Sequence, residues 1–416
     1  MHQTADNPKK LIIVSVETPD FSDCRQSAAE LKELCENLNA VVLDTIFQKR
    51  STPHPATCIG EGKIAEVREA LKRLECDAVV FDTELTAMQS KNLEKALDID
   101  VRDRTMIILD VFADRAQSSE GKIQVELARL QYMLPRLKGS YQSLSRIRGS
   151  TGGIGAAKGL GESKLELDKR YLRGRIRFLK KQISDIQSHR EVLRQRRKKQ
   201  DLPVIAICGY TNAGKSTLLN ALTFAEVFAE DMLFATLDTT SRSISLPGDK
   251  TAILVDTVGF IRRLPHHLVE AFKSTLEEVL YADLVLLLLD AGDPEYLLHM
   301  DVCKEVLQQL NYRGKILIAL NKTDLPSADL SLLPSAVKIS AKSGQGLDQL
   351  LESISAELEP RRFYAKMNFP YSHTDTFFKL KTSSPDVKWE YTDDGISAEG
   401  MFEQKVLAQY NSFCAK

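Results

Sequence analysis

Short apolar runs alternate with amphipathic segments through the N-terminal part of the chain. The runs are typical of buried strands, whereas the amphipathic segments repeat their apolar residues every three or four positions, as helices do. The predicted strands are Leu11 to Val16, Ala40 to Leu43 and Ala78 to Phe81, and the predicted helices are Cys24 to Leu38, Gly62 to Leu74 and Ala87 to Leu97. This alternation predicts a small α/β layer domain over residues 1–115.

Two longer segments that follow carry heptad spacing, which is typical of helices that pack along a seam. The seam positions are Ile123, Leu127, Leu130, Leu134 and Leu137, then Leu165, Leu172, Ile176, Leu179, Ile183, Ile186 and Leu193. Glycines between Gly149 and Gly161 interrupt the pattern, and we expect that stretch not to remain helical. Residues 116–200 are therefore predicted to form an antiparallel helical hairpin with a glycine-rich tip, a flexible linker being the alternative for the tip.

Positive charge is concentrated in this segment of the chain. Residues 129–200 contain 20 Lys or Arg against 5 Asp or Glu, although the whole chain has a net charge of -1. Basic residues flank the tip at Arg146, Arg148, Lys158 and Lys164, and the second helix ends in the run Arg194 to Lys199. A basic stripe of this kind binds phosphate backbones without reading sequence. The pattern predicts RNA binding, and a solvated helix face is the alternative.

A glycine-rich loop follows the next apolar run, Val204 to Cys208, and precedes a helix-like segment. The loop reads Gly-Tyr-Thr-Asn-Ala-Gly-Lys-Ser from Gly209 to Ser216. Such a loop aims backbone N–H groups at phosphates, its lysine reaches the outer phosphates and its Ser hydroxyl binds Mg²⁺. Residues 201–360 are predicted to form a three-layer, mostly parallel nucleotide-binding domain.

The base is predicted from the string Asn321, Lys322, Thr323, Asp324, which follows the strand-like run Lys315 to Leu320. A carboxylate at Asp324 accepts hydrogen bonds from both the ring N–H and the amine of guanine, and adenine offers no such pair. We expect Asn321 to brace a neighbouring loop and Lys322 to cover the base. Ser340, Ala341 and Lys342 are predicted to offer backbone N–H groups to the guanine carbonyl.

Two segments are candidate switches that respond to the third phosphate. Asp256, Thr257, Val258 and Gly259 end a strand, where Asp256 is placed to hold a magnesium water and the Gly259 N–H to contact the phosphate. The other segment runs from Phe234 to Thr240, in which Thr236 is predicted to close over the metal, with Thr239 and Thr240 as alternatives. The residue after Gly259 is Phe260, where a Gln usually orients the attacking water, so slow intrinsic hydrolysis is expected.

Together these patterns predict a GTP hydrolase with Mg²⁺ held by Ser216, Thr236 and Asp256, and with Lys215, Thr236 and Gly259 acting on the transferred phosphate. The predicted nucleotide-binding residues come from five short segments. They are Gly209, Tyr210, Thr211, Asn212, Ala213, Gly214, Lys215, Ser216 and Thr217; Phe234, Ala235, Thr236, Leu237 and Asp238; Asp256, Thr257, Val258 and Gly259; Asn321, Lys322, Thr323 and Asp324; and Ser340, Ala341 and Lys342.

These strings resemble the HflX branch of the Obg-like translation GTPases. The resemblance is carried by Gly-Tyr-Thr-Asn-Ala-Gly-Lys-Ser-Thr-Leu, Phe-Ala-Thr-Leu-Asp and Asp-Thr-Val-Gly-Phe-Ile-Arg, and by the stretch from Asp110 to Leu130. It implies a GTPase that associates with the large ribosomal subunit and splits, rescues or recycles stalled ribosomes. It also implies a second nucleotide, ATP, near Ile59 to Lys63, where the spacing itself favours an ordinary helix start.

The remaining composition limits the class of protein. Seven cysteines without metal-ligand spacing predict reduced thiols and a cytoplasmic protein, and no apolar run is long enough for a membrane helix. After residue 360, short alternating aromatic pieces predict a small β-rich domain, α+β in class, over residues 361–416. We expect a monomer that binds RNA and no DNA.

Two other functions fit parts of this pattern. One is a GTP-dependent signalling switch that binds a protein effector, and the other is an RNA remodeller whose N-terminal domain uses ATP.

Overall fold

The structure is a computed structural model, and it describes residues 8–19, 21, 23–137, 157–199, 202–223, 234, 240–263, 265, 268, 278–359, 362–384 and 387–414. The chain forms two compact units, Met1–Leu350 and Leu351–Lys416.

A four-stranded parallel sheet with the order β2-β1-β3-β4 begins the first unit. Its strands are β1 Lys9–Glu17, β2 Ala40–Lys49, β3 Ala78–Phe81 and β4 Asp100–Asp103, and its helices are α1 Cys24–Asn37, α2 Glu61–Leu74, α3 Ala87–Leu97 and α4 Arg104–Arg115. The predicted α/β alternation is confirmed. β2 is longer than predicted, since the prediction followed the apolar run alone, whereas polar side chains such as Gln48 are partly exposed on this edge strand.

Helix starts in this part use local hydrogen bonds. Thr86 and Gln89 form a capping box at α3, and the Asp103 side chain accepts from Met106 N–H at α4. Gly60 precedes α2, and its N–H donates to Gln48 Oε1 at 3.0 Å. The stretch predicted to be either an ordinary helix start or an ATP site thus has the geometry of a helix start.

Two antiparallel helices, α5 Ser119–Met133 and α6 Ala157–Lys199, form the helical pair. Arg175 forms two hydrogen bonds with Glu126, at 2.7 and 2.8 Å, and Arg190 lies 2.6 Å from Glu120, so the two helices run in opposite directions. Leu179 on the predicted seam is fully buried.

The expectation that the glycine-rich stretch is not helical is wrong for residues 157–161, because α6 begins at Ala157 and includes Gly159 and Gly161. Each glycine costs about 1 kcal/mol relative to alanine. An established helix gains a hydrogen bond for every residue added, so it propagates through them. The rest of the predicted tip lies outside the described residues, as do the flanking Arg146 and Arg148.

The second sheet of this unit has six strands in the order β10-β9-β8-β5-β7-β6, of which β6 alone pairs antiparallel. Its elements are β5 Val204–Gly209, α7 Lys215–Thr223, β6 Thr240–Leu246, β7 Lys250–Asp256, β8 Leu284–Asp290, α8 Tyr296–Gln309, β9 Lys315–Asn321 and β10 Val337–Lys338. Helix α9, Leu347–Leu358, begins in this unit and ends in the second. Leu284 to Leu289 are at most 1% exposed, as expected for a central parallel strand. The predicted mostly parallel sheet is confirmed.

The second unit contains a three-stranded antiparallel sheet and short helices. Its elements are β11 Arg362–Pro370, α10 Thr374–Ser383, β12 Lys388–Thr392, β13 Gly395–Glu403 and α11 Gln404–Gln409, with the sheet order β11-β13-β12. The α+β class is confirmed. One of the short aromatic pieces after residue 360 from which a β-rich domain is predicted, Phe377 to Lys381, is helical. Phe377 and Leu380, three residues apart, are both buried, so the segment repeats with a helical period.

None of the seven cysteines is paired, and Cys208 lies buried in β5, where burial raises the pKa of its thiol to about 12. In the part of the chain that the structure describes, no helix is both long enough and apolar enough to cross a membrane.

Shortening Leu179 tests the seam of the helical pair. We expect Leu179→Ala to lower the free energy of local unfolding of the helical pair by about 2–5 kcal/mol, because it removes buried methyl groups. The neighbouring Phe178 is 51% exposed, so Phe178→Ala is the control with a smaller expected effect. Hydrogen exchange of the α5 and α6 amides measures both, and equal protection in the two variants would contradict a packed seam.

Candidate nucleotide-binding site

The phosphate loop connects β5 to α7, and its backbone requires glycine at both ends. Gly209 faces the Leu288 carbonyl and Gly214 faces the Asn321 side chain so closely that a Cβ at either position would clash. Gly214 has a φ of +89° and Asn212 a φ of +62°, in the left-handed region. Such turns direct successive N–H groups into an anion-binding concavity. The loop therefore has the geometry that the sequence predicted.

Lys215 is buried among the carbonyls of this loop. Its Nζ donates to the Tyr210 carbonyl at 2.8 Å and to the Gly209 carbonyl at 3.3 Å. Burial lowers the pKa of the ammonium, and the nearby Asp256 acts in the opposite direction. The charge is held within the loop, where phosphate oxygens can replace the carbonyl contacts.

Two oxygen donors suited to magnesium lie next to each other. Ser216 Oγ donates to Asp256 Oδ2 at 2.9 Å, and Asp256 is fully buried. Mg²⁺ prefers oxygen ligands and is usually bound by one or two side chains plus substrate phosphates and water. A hydroxyl and a carboxylate at this distance fit that ion. Among the described residues, no cluster of three or more His, Cys, Asp or Glu could hold a metal.

The second switch segment pairs with the phosphate loop through its backbone. Phe260 N–H donates to the Gly209 carbonyl at 3.0 Å, and the Phe260 carbonyl accepts from Thr211 N–H at 2.8 Å. A Cβ on Gly259 would lie 2.9 Å from Lys215 Nζ. The same Cβ would lie 2.9 Å from Thr211 Cγ2 and 3.0 Å from Thr211 Cα, so a larger residue at position 259 would have to displace the phosphate loop.

Side chains of the same segment are used for packing. Thr257 Oγ1 donates to the Ile207 carbonyl at 2.6 Å, and Val258 is 6% exposed. Phe260 is 2% exposed and packs among core residues that include Tyr296 and Cys303. The segment thus offers its backbone, rather than these side chains, to a nucleotide.

Most of the first switch segment, from Ala235 to Thr239 and including Thr236, lies outside the described residues. Phe234 is described, and its ring meets Phe112 of α4 edge to face at 4.6 Å. It is 2% exposed, so the structure places this predicted nucleotide-binding residue in an apolar core. Thr240 begins β6 and pairs with Asp256 across the ladder.

Asn321 connects the phosphate loop to the Ser340 to Lys342 loop. Its Nδ2 donates to the Ala213 carbonyl at 2.9 Å, and its Oδ1 accepts from Ala341 N–H at 2.9 Å. This agrees with the bracing role that the sequence predicts. Of the three backbone N–H groups predicted to meet the guanine carbonyl, Ala341 N–H donates to Asn321 and Ser340 N–H donates to the Gln345 carbonyl in this structure.

The predicted base-binding carboxylate is exposed and ionised. A hydrogen bond from Ser340 holds the pKa of Asp324 below its usual range. Lys322 Nζ lies 2.8 Å from Asp290, and Thr323 Oγ1 donates to the Ile339 carbonyl at 3.0 Å. Lys322 and Thr323 are therefore engaged with neighbouring groups, while the Asp324 carboxylate is exposed.

Tyr210 links the phosphate loop to the N-terminal sheet domain. Its hydroxyl donates to Glu30 of α1 and accepts from the Arg262 N–H at 2.9 Å. Its ring stacks on His299 at 3.8 Å. One phenol thus connects the phosphate loop, the residues after the second switch and helix α1.

A buried ion cluster lies directly behind this contact. Arg104 donates to Asp82 at 3.0 Å, to Glu30, and to the Arg262 carbonyl at 3.2 Å. Asp82 also accepts from Ser15 and Ser27. Burial raises the pKa of Asp82 and of Glu30, and Arg104 opposes this shift.

The switch segments also share an apolar core with the N-terminal domain. That core includes Phe112 and Val111 of α4 together with Phe234, Val258 and Ile261. Movement of either switch therefore changes packing against α4.

Sequence reasoning missed the residues that form this contact, namely Glu30, Asp82, Arg104 and Arg262. The available signal was weak: Asp82 directly follows the buried run ending at Phe81, and Arg262 follows the apolar Phe260 and Ile261. A charged residue beside buried positions suggests a satisfied internal charge, but it does not identify the partner.

Removing the Arg104 charge tests the buried cluster. We expect Arg104→Gln to lower the free energy of unfolding by about 3–5 kcal/mol, because two buried carboxylates lose their partner. Arg102→Gln is the matched control, since Arg102 is 24% exposed and its pairs contribute about 1 kcal/mol or less. Urea denaturation followed by circular dichroism measures the free energy of unfolding of both variants. Similar decreases in the two would contradict a stabilising role for the buried cluster.

Changing Asp324 tests the base assignment. Asp324→Asn is expected to weaken GDP binding about 100-fold, because two charge-assisted hydrogen bonds worth about 3 kcal/mol are lost. Binding of xanthosine diphosphate should improve, since the amide donates to the xanthine carbonyl. Calorimetry measures both, with Asp329→Asn as an exposed carboxylate control. Unchanged GDP affinity would overturn the assignment.

Three family models match consecutive parts of the chain. The model described as GTP-binding GTPase N-terminal matches residues 25–113, GTP-binding GTPase Middle Region matches residues 115–197, and 50S ribosome-binding GTPase matches residues 204–322. Two crystal structures of GDP complexes are also similar. The SsGBP complex has 25% identity and a TM-score of 0.47, covering 84% of this chain and 98% of that chain. A GTP-binding protein from Sulfolobus solfataricus has 24% identity and a TM-score of 0.42, with the same coverage.

Full-length relatives are more similar in sequence. GTPase HflX of Lacrimispora saccharolytica is 45% identical over 405 residues, covering 96% of this chain and 95% of that protein. GTPase HflX of Escherichia coli is 41% identical over 381 residues, covering 89% and 88%. Since identity at this level spans almost the whole of both proteins, and the phosphate loop has the required geometry, this chain belongs to the HflX family and is a GTPase.

Proposed function

We propose that this GTPase binds the ribosome, mainly the large subunit, and uses GTP-dependent movement of its switches to split, rescue or recycle stalled ribosomes. The family model matching residues 204–322 is described as a 50S ribosome-binding GTPase, which supports the choice of partner.

The observation that carries this proposal is a basic stripe on α6, formed by Arg170, Arg173, Arg177 and Lys181. All four are exposed and recur at spacings of three, four and four residues, so they lie on one helix face. Tyr171, which is 73% exposed, and Phe178 lie beside them. Positive charge with aromatic rings alongside is the surface chemistry that binds RNA through phosphates and base stacking.

The nucleotide site supports the hydrolysis step. Lys215 would neutralise charge on the outer phosphates, and the Gly259 N–H would contact the third phosphate. Ser216 and Asp256 would hold magnesium, with Thr236 as the third predicted ligand, and the ion would neutralise charge that develops on the phosphates. Closure of both switches around GTP, and their release after hydrolysis, would give the protein two states.

Two parts of the structure could transmit a change at the nucleotide site to the surface that binds the ribosome. α6 ends at Lys199, and β5 begins at Val204, so the basic helix leads almost directly into the phosphate-loop strand. The second part is the core in which Val258 and Ile261 pack against α4. A change at the second switch would therefore alter both the N-terminal domain and the helical pair that follows it.

Reversing two charges of the basic stripe tests the ribosome proposal. We expect Arg177→Glu with Lys181→Glu to weaken binding to purified large subunits and to reduce the salt slope of binding by about 2, because each lost phosphate contact removes about 1. Cosedimentation over a salt series measures binding, and GTP hydrolysis with and without subunits measures stimulation.

The matched control reverses two exposed charges on α2, Lys72→Glu with Arg73→Glu, which changes the net charge equally. An equal loss of large-subunit binding in both variants would indicate only a general effect of net charge. If large subunits neither bind nor accelerate hydrolysis in the unmodified protein, the signalling-switch alternative replaces this proposal.

A further inference from the structure

The residue that follows Gly259 in the second switch, Phe260, has no polar side-chain atom to orient the attacking water. Phe260 follows Gly259 and is 2% exposed within the core. Its N–H and carbonyl are both paired with the phosphate loop, at 3.0 and 2.8 Å, so its backbone holds the ring inward. The hydrogen bond to the water must come from another group.

Thr211 is the residue of the phosphate loop that pairs with Phe260. Its N–H donates to the Phe260 carbonyl at 2.8 Å, and the residue is 5% exposed. Thr211 Oγ1 is buried and has no hydrogen-bond partner among the residues that the structure describes. Leaving a buried hydroxyl unpaired costs about 1–3 kcal/mol, so such a group calls for a specific reason.

The side chain of Thr211 lies beside the groups that contact the third phosphate. A Cβ built on Gly259 would be 2.9 Å from Thr211 Cγ2 and 2.9 Å from Lys215 Nζ. In GTPases of this fold, the loop lysine binds the β- and γ-phosphates, and the switch glycine contacts the γ-phosphate. Gly259 therefore lies between the threonine and the lysine at the place where that phosphate binds.

We propose that Thr211 Oγ1 positions the attacking water in GTP hydrolysis, in place of the side chain that Phe260 lacks. A hydroxyl both accepts and donates, so it can accept a hydrogen bond from the water while donating to a γ-phosphate oxygen. This proposal rests on the GTPase activity and is independent of the ribosome proposal.

The reaction balances without a change in Thr211. The water oxygen forms a bond to the γ-phosphorus, and the bond between that phosphorus and the β–γ bridging oxygen breaks, releasing GDP. The proton lost by the water passes to an oxygen of the departing inorganic phosphate. Thr211 keeps its own proton throughout and contributes orientation, for which removal of one well-placed hydrogen bond costs about 10²-fold in rate.

The test uses full-length protein with Thr211→Val, Thr211→Ser and the control Thr223→Val. Valine keeps the branched shape and the methyl contact with Gly259 but removes the hydroxyl, whereas serine keeps the hydroxyl. The Thr223 hydroxyl donates to the Leu219 carbonyl within α7, so its loss makes the same chemical change outside the loop. Hydrolysis without ribosomes gives kcat and KM, and a fluorescent GDP analogue gives nucleotide affinity.

We expect Thr211→Val to lower kcat about 10²-fold, with KM and GDP affinity changed less than about twofold. Binding of GDP with aluminium fluoride, which resembles the transferred phosphate, should weaken with kcat. Thr211→Ser should recover most of the rate, and Thr223→Val should match the unmodified protein. The proposal is overturned if Thr211→Val retains kcat, if kcat and GDP affinity fall together, or if serine is no better than valine.

Discussion

Arg104 is buried with two carboxylates, and charges so deep in a protein are tolerated only when every partner is in place. Its guanidinium fixes Glu30 on α1 and Asp82 at the end of β3, and it also binds the carbonyl of Arg262. Glu30 in turn accepts from Tyr210 in the phosphate loop. The position of the nucleotide site relative to the N-terminal sheet depends on this cluster. Without Arg104, the Glu30 and Asp82 carboxylates would be buried charges with no opposite charge beside them.

The second switch is held from two sides as a result. Its backbone at Phe260 is paired with the phosphate loop, and its Val258 and Ile261 side chains pack into the core around α4. A γ-phosphate that contacts Gly259 would therefore also affect the packing of Val258 and Ile261 against α4, more than a hundred positions away in the chain. Such a segment can transmit the state of the nucleotide because packed cores change between discrete arrangements.

Local patterns predicted the turn geometry of the phosphate loop. Gly209, Gly214 and Lys215 belong to one short motif of consecutive residues, so the sequence alone indicates the turn that they form. The bracing contacts of Asn321 were likewise predictable, because the residue lies at the end of a strand, next to the loops that it joins. Phe234 was assigned to the nucleotide because it belongs to a recognisable string, yet its ring packs on Phe112, a contact that local pattern cannot contain.

By itself, the sequence determined which elements form and which chemistry the phosphate loop can perform, because helix and strand periods and glycine turns are properties of neighbouring residues. Only the tertiary structure decided what lies against that loop. Glu30 and Tyr210 are 180 residues apart, and Arg104 and Arg262 are 158 apart. Their pairing follows from how the two sheets pack, and burial, which makes each unpaired charge costly, selects the partners.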